Sequence, residues 1–155
     1  MSAGNPDETA RFEETYIREV RIQYHRTDKP VFAIRLPQDA RDFIVSVLPD
    51  NSREHSVALY LNAAHEVICY SLISTGSTEF APVSPRDIFQ RALAAGAVAL
   101  LFCHNHPSGR VEPSAEDRRI TTRLKEVGEL LGIKLLDHLI IAEDAFYSFQ
   151  ENGEL

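Results

Sequence analysis

Cysteine is scarce in this 155-residue chain, which holds two, Cys69 and Cys103. Both lie inside apolar, strand-like runs, so they read as reduced buried thiols and exclude a disulfide framework or a four-cysteine metal site. Long hydrophobic runs are missing as well. The longest, residues 97–103, falls far short of the roughly 20 apolar residues that span a bilayer, so no membrane segment is expected. The first residues are polar and acidic, without the basic start and apolar stretch of a secretory signal, and a cytoplasmic location is expected. Positive charge is also in short supply, with 16 Lys and Arg against 23 Asp and Glu and a formal net charge of −7. That balance counts against a nucleic-acid partner, because holding a phosphate backbone rests on clustered cations. A local basic patch from Arg18, Arg21, Arg26 and Lys29 is the one candidate exception, and it reads more simply as a solvated strand face.

What is present suits one domain with a single core. Residues 1–15 read as a disordered tail, and residues 16–155 as the folded domain. Imperfect alternation through Ile17, Val20, Ile22 and Tyr24 predicts a strand, and residues 31–36 predict a second. Pro37 opens a helix whose apolar face is Ala40, Phe43, Ile44, Val47 and Leu48. Residues 57–61 and 67–73 form a predicted hairpin, followed by a loop over residues 74–84. Ser84, Pro85 and Asp87 mark the start of a helix that Gly96 ends. The continuous apolar run 97–103 has the pattern of a central strand covered on both faces. A helix follows from Ser114 to Leu131, closed by Gly132, and strands are expected at 134–141 and 145–149.

The chemistry gathers where the central strand ends. His104 and His106 are two apart, so in extended geometry both side chains leave one face with Cα atoms about 6.6 Å apart, and two imidazoles at that spacing can reach one ion. Zinc takes histidine nitrogens readily, and catalytic zinc sites use three protein ligands and leave a fourth position for water. Cys103 and Asn105 point to the opposite face. Asp117, one turn into the helix that begins at Ser114, is the better third ligand. It has a competing explanation, because Ser114 and Asp117 have the spacing of a capping box, which needs no metal. The conjunction of a His-x-His with that helix start across a Pro-Ser-Gly turn favours the ligand role. Asp137-His138, adjacent inside an apolar strand, reads either as a hydrogen-bonded core histidine or as support for a zinc ligand. His25, His55 and His65 have no companion at ligand spacing and read as surface residues. A zinc deaminase is excluded, since neither a His-x-Glu nor a Pro-Cys-x-x-Cys segment occurs.

His104-Asn105-His106-Pro107-Ser108-Gly109, then Pro113, Ser114, Asp117 and Thr121, and later residues 130–141, resemble the RadC family of JAB/MPN (JAMM) metalloprotease-like domains. The similarity runs from about Arg18 to the end of the chain. Longer bacterial members carry a helix-hairpin-helix region before the JAB domain, and this chain resembles the single-domain versions. The resemblance implies an α/β sandwich of the cytidine-deaminase-like type, with a mixed central sheet flanked by helices. It also implies one Zn2+ held by His104, His106 and Asp117. Glu54 occupies the position of the family's catalytic glutamate, with Glu66 and Glu79 as fallbacks, and Ser114 that of its serine. The implied activity is zinc-dependent hydrolysis of an amide, peptide or isopeptide bond in an unidentified protein or peptide substrate. The alternative is an accessory protein of DNA repair or mobile elements that acts by binding, and a homodimer is a further candidate assembly.

Overall fold

The computed structural model describes residues 19–76 and 83–155. The tail expected over residues 1–15 and the candidate Glu79 lie outside them. Within them the elements run α1 (Pro37–Val47), β1 (His55–Leu61), β2 (Val67–Thr75), α2 (Pro85–Ala95), β3 (Ala99–Asn105), α3 (Ala115–Leu131), β4 (Lys134–Ile141) and β5 (Phe146–Ser148). The sheet order is β2-β1-β3-β4-β5. β1 pairs antiparallel with both β2 and β3, β3 and β4 run parallel, and β4 and β5 run antiparallel. This is the expected α/β architecture with a mixed sheet.

Alternation along the strands builds two apolar layers. Ala58, Tyr60, Leu100, Phe102 and Leu135 meet Ile88, Phe89 and Ala92 of α2 and Ile120 and Leu124 of α3 on one side. On the other, Val57, Leu59, Leu61, Leu101, Cys103, Leu139 and Ile141 close over Ala40 and Ile44 of α1. Every residue of β1 and β3 is buried, as a central strand covered on both faces requires. β2, at the sheet edge, alternates instead. Cys103 is buried and Cys69 partly so, both are free, and burial pushes both thiols up from their ordinary range.

The parallel pair contains one irregularity that matters for the site. Leu100 lies opposite Leu135, but Leu101 lies opposite Asp137, so β4 carries an extra residue at this point. Such a bulge reverses which side chains face which layer. Leu135 enters the core under α2 and α3, and beyond the bulge it is His138, opposite Phe102, that takes up this side.

Two strand expectations fail. Residues 19–28 form no strand, and Val20, Ile22 and Tyr24 are 88%, 58% and 60% exposed. The segment runs beside the edge strand β2 but makes no ladder with it. The strand expected over residues 31–36 shrinks to one bridge between Ala33 and Glu66, flanked by hydrogen bonds from Ile34 N to His65 O and from Val67 N to Phe32 O. Helix ends are better read. Gly96 and Gly132 adopt left-handed conformations, with φ of 66° and 69°, and stop α2 and α3. Ser84 stands at the N-cap of α2 but its hydroxyl makes no cap bond, the turn being closed by Asp87 N to Ser84 O. No helix among the described residues is long and apolar enough to cross a membrane.

Candidate metal centre

β3 ends with His104 facing the α3 side and Asn105 facing the α1 side, both almost fully buried. His106 continues the parallel ladder by donating its backbone N–H to Ile141 O at 2.8 Å, so the chain stays extended and its ring returns to the His104 side. α3 then starts with its first turn over this strand end. His104 Nε2 lies 3.0 Å from His106 Nε2 and 3.1 Å from Asp117 Oδ1, and His106 Nε2 lies 4.0 Å from Asp117 Oδ2. One ligand atom from each of the three residues falls within 4.8 Å of the others. His106 Nδ1 sits 2.8 Å from Arg110 O. A carbonyl only accepts, so Nδ1 carries the hydrogen and the Nε2 lone pair is turned toward the cluster.

The two competing readings of Asp117 are both present. Its Oδ2 accepts from Ser114 N at 2.7 Å while its own N–H donates to Ser114 Oγ at 3.1 Å, a complete capping box. Its Oδ1 faces His104. One carboxylate therefore caps the helix with one oxygen and offers the other to the cluster. Burial raises the Asp117 carboxyl, but the His104 ring and the Ser114 hydroxyl and amide outweigh it and hold the group well below the usual carboxylate range. The Ser114 hydroxyl accepts from Asp117 N and turns its hydrogen toward the Asp117 carboxylate.

Behind the cluster lies a second buried layer. His104 Nδ1 is 2.9 Å from His138 Nε2, and His138 Nδ1 is 2.6 Å from Thr121 Oγ1. Complete burial drives the His138 imidazole far toward its neutral form. Phe149 stacks on this ring at 4.7 Å between centroids. Asp137, on the opposite face of β4, accepts from His138 N at 2.7 Å and Gln150 N at 3.0 Å, and so ties the turn after β5 to β4.

Glu54 is exposed and precedes β1. It stands two residues before Ser56, which pairs with His104, so it belongs to the His104 side of the sheet. Asn105 fixes the backbone on both sides of it, accepting from His55 N at 2.7 Å and donating to Arg53 O at 2.9 Å. Gly76 N completes the clasp by donating to Glu54 O at 2.7 Å. Sequence reasoning dismissed Asn105 as a ligand and missed this role. The fallback Glu66 sits at the far end of β1, where it accepts from Asn62 Nδ2 at 2.7 Å.

His25 and His65 are exposed, but the expectation for His55 is wrong. His55 is 1% exposed, with Nδ1 3.1 Å from Thr75 Oγ1. Its Nε2 has no hydrogen-bond partner, although Asp50 Oδ2 stands 3.4 Å away. The signal was available: stepping back by twos from Leu61, Leu59 and Val57 reaches His55, on the same buried face. Of the candidate basic patch, Arg18 lies outside the described residues and Arg21 pairs with Glu19 at 2.9 Å.

Residues 34–154 match the model of the RadC-like JAB domain. The chain belongs to this family. A UPF0758 protein of Bacillus licheniformis is 43% identical over 127 residues, covering 82% of this chain and 57% of the relative. One from Halalkalibacterium halodurans is 42% identical, covering 80% and 53%. One from Chlorobium chlorochromatii is 37% identical, covering 90% and 63%. The chain thus spans little more than half the length of these curated relatives. The RadC-like JAB domain begins with the bridge that ties Ile34 to the β1–β2 turn and takes in the whole sheet, the three-residue cluster and the Asn105 clasp.

Proposed function

We propose that this RadC-like JAB domain is a zinc-dependent hydrolase of amide, peptide or isopeptide bonds, acting on a protein or peptide substrate. The observation that carries the reading is the donor set: two imidazole nitrogens and one carboxylate oxygen converge at a strand end. That set suits zinc and, with three protein ligands, leaves a position open. Bound there, zinc would supply a Lewis acid and lower the pKa of a water toward about 7.

The protein's own residues have separable duties. Glu54, clasped by Asn105 on the His104 side of the sheet, takes a proton from the attacking water and delivers it to the leaving amine. The Ser114 hydroxyl, turned from the Asp117 carboxylate to substrate, donates to the oxyanion that develops on the scissile carbonyl. Asp117 anchors Ser114 through the capping box, so ligand and oxyanion donor move together. Buried His138 and Asp117 hold His104 on two sides, which limits the reorganisation needed when the ion binds.

The test compares the zinc-loaded wild type with Glu54→Gln on peptide and isopeptide libraries. Glutamine keeps the shape and loses the base, so the variant is expected to retain about one zinc per chain and lose hydrolysis by at least 10²-fold. Equal cleavage by both proteins removes Glu54 from the mechanism. No cleavage by the wild type of any library member rejects the hydrolase reading.

A further inference from the structure

The buried chain from Thr121 through His138 to His104 can order its hydrogens in two directions, and only one of them lets His104 hold a cation. A neutral imidazole has one N–H and one lone pair. In the first direction, Thr121 O–H donates to His138 Nδ1, His138 Nε2–H donates to His104 Nδ1, and His104 Nε2–H points at Asp117 Oδ1. The ligand nitrogen is then occupied. In the second, His104 Nδ1–H donates to His138 Nε2, His138 Nδ1–H donates to Thr121 Oγ1, and Thr121 O–H donates to the Asp117 backbone carbonyl, 2.6 Å away. The Nε2 lone pair of His104 is then free and faces the His106 lone pair and the Asp117 carboxylate, an arrangement of three acceptors that a cation stabilises.

The second direction depends on a hydroxyl at position 121. His138 Nδ1–H needs an acceptor, and Thr121 serves as one because its own hydrogen has somewhere to go, the carbonyl of the residue that begins the cluster. We propose that Thr121 and His138 are positioning residues that select the metal-binding tautomer of His104. The inference rests on reading the cluster as a metal site, though on no hydrolytic activity. The rest of the fold holds the relay in line. The β4 bulge turns His138 to this face, Phe149 and Phe102 lie against the ring at 4.7 and 4.9 Å, and the 0% exposure of His138 keeps water from supplying a substitute acceptor.

Valine at position 121 has nearly the same shape and no acceptor. A buried N–H left unpaired is costlier than a buried lone pair, so Thr121→Val drives the chain into the first direction, with the hydrogen of His104 on Nε2. Zinc affinity is measured by competition with a chromophoric chelator for wild type, Thr121→Val and Thr121→Ser, alongside thermal melting of each metal-free protein. Thr121→Val is expected to bind zinc about 10–100-fold more weakly, the range for loss of a partner behind a metal ligand, and Thr121→Ser to recover most of the loss. Nitrogen-15 NMR of zinc-loaded wild type is expected to show His138 as the Nδ1–H tautomer, a readout that needs no variant to fold. Equal zinc affinity in Thr121→Val, or an Nε2–H tautomer of His138 in the loaded protein, overturns the inference alone. A wild type that takes up no zinc overturns the metal reading and this inference with it.

Discussion

The two faces of β3 and β4 meet different fates at the same end of the sheet. Toward α1, Cys103, Leu139 and Ile141 pack together, and the buried polar side chains there, Asn105 and Asp137, are spent on backbone groups. Toward α3 the same register positions give way to His104 and His138, joined by Thr121 and Asp117 from the helix, all at most 9% exposed. Four buried polar side chains give up stability that apolar groups of similar volume would supply, because desolvating them costs more than imperfect pairing returns. The polar groups of the α1 face serve to fasten backbone and do not converge on one point. What distinguishes the α3 face is that its polar groups converge, with ligand atoms of His104, His106 and Asp117 within 4.8 Å of one another.

Three variants press on that contrast. The largest effect is expected from changing both His104 and His106 to alanine, which should reduce zinc from about one ion per chain to none, read by elemental analysis of purified protein. Undiminished metal in the double variant would place the ion elsewhere. On the other face Leu139→Ala should leave zinc content unchanged and destabilise the protein by about 2–5 kcal/mol in denaturant unfolding, through lost transfer energy and a cavity beside α1. A loss of zinc there would mean the two faces are not independent.

The smallest effect is electrostatic and also belongs to the α1 side. Asp39 accepts from the backbone N–H groups of Leu36 and Arg35, both at 2.8 Å, and these bonds hold its carboxyl below the ordinary value of 3.8. A carboxylate depressed on folding stabilises the native state above its unfolded pKa, and this contribution fades as pH falls through the folded value. Asp39→Asn should therefore lower stability slightly at neutral pH and make the acid limb below about pH 4 shallower, with zinc binding untouched. An unchanged acid limb would show that the bonds to Asp39 do not persist in solution.

The contrast also explains what could be read from the sequence. His104, His106 and Asp117 were legible because a strand end and the next helix start place them together by local geometry, and because Ser114 marks that start. Glu54 had no such local signal, being brought to the His104 side by β1–β3 pairing across some 50 residues, and only the family resemblance pointed to it. Asn105 was correctly assigned to the far face, yet its use depends on backbone groups that only pairing delivers. His138 was conspicuous, but the bulge that aims it leaves no mark in an apolar run. The strand expected near residues 17–24 failed for the opposite reason. Its alternation was real, but residues 19–28 make no ladder with the neighbouring edge strand β2.

The Asn105 clasp has a consequence for the order in which the molecule is assembled. β3, α3 and β4 are consecutive, and they hold the cluster and its buried support, so these parts can gather through short loop closures. Glu54 joins only when β1 docks on β3, a contact between residues 50 apart in the chain. A folding chain that has reached the first stage and not the second would capture an ion while its candidate base is still detached. Asn105, fastening Arg53 and His55, couples the β1–β3 pairing to the placement of Glu54.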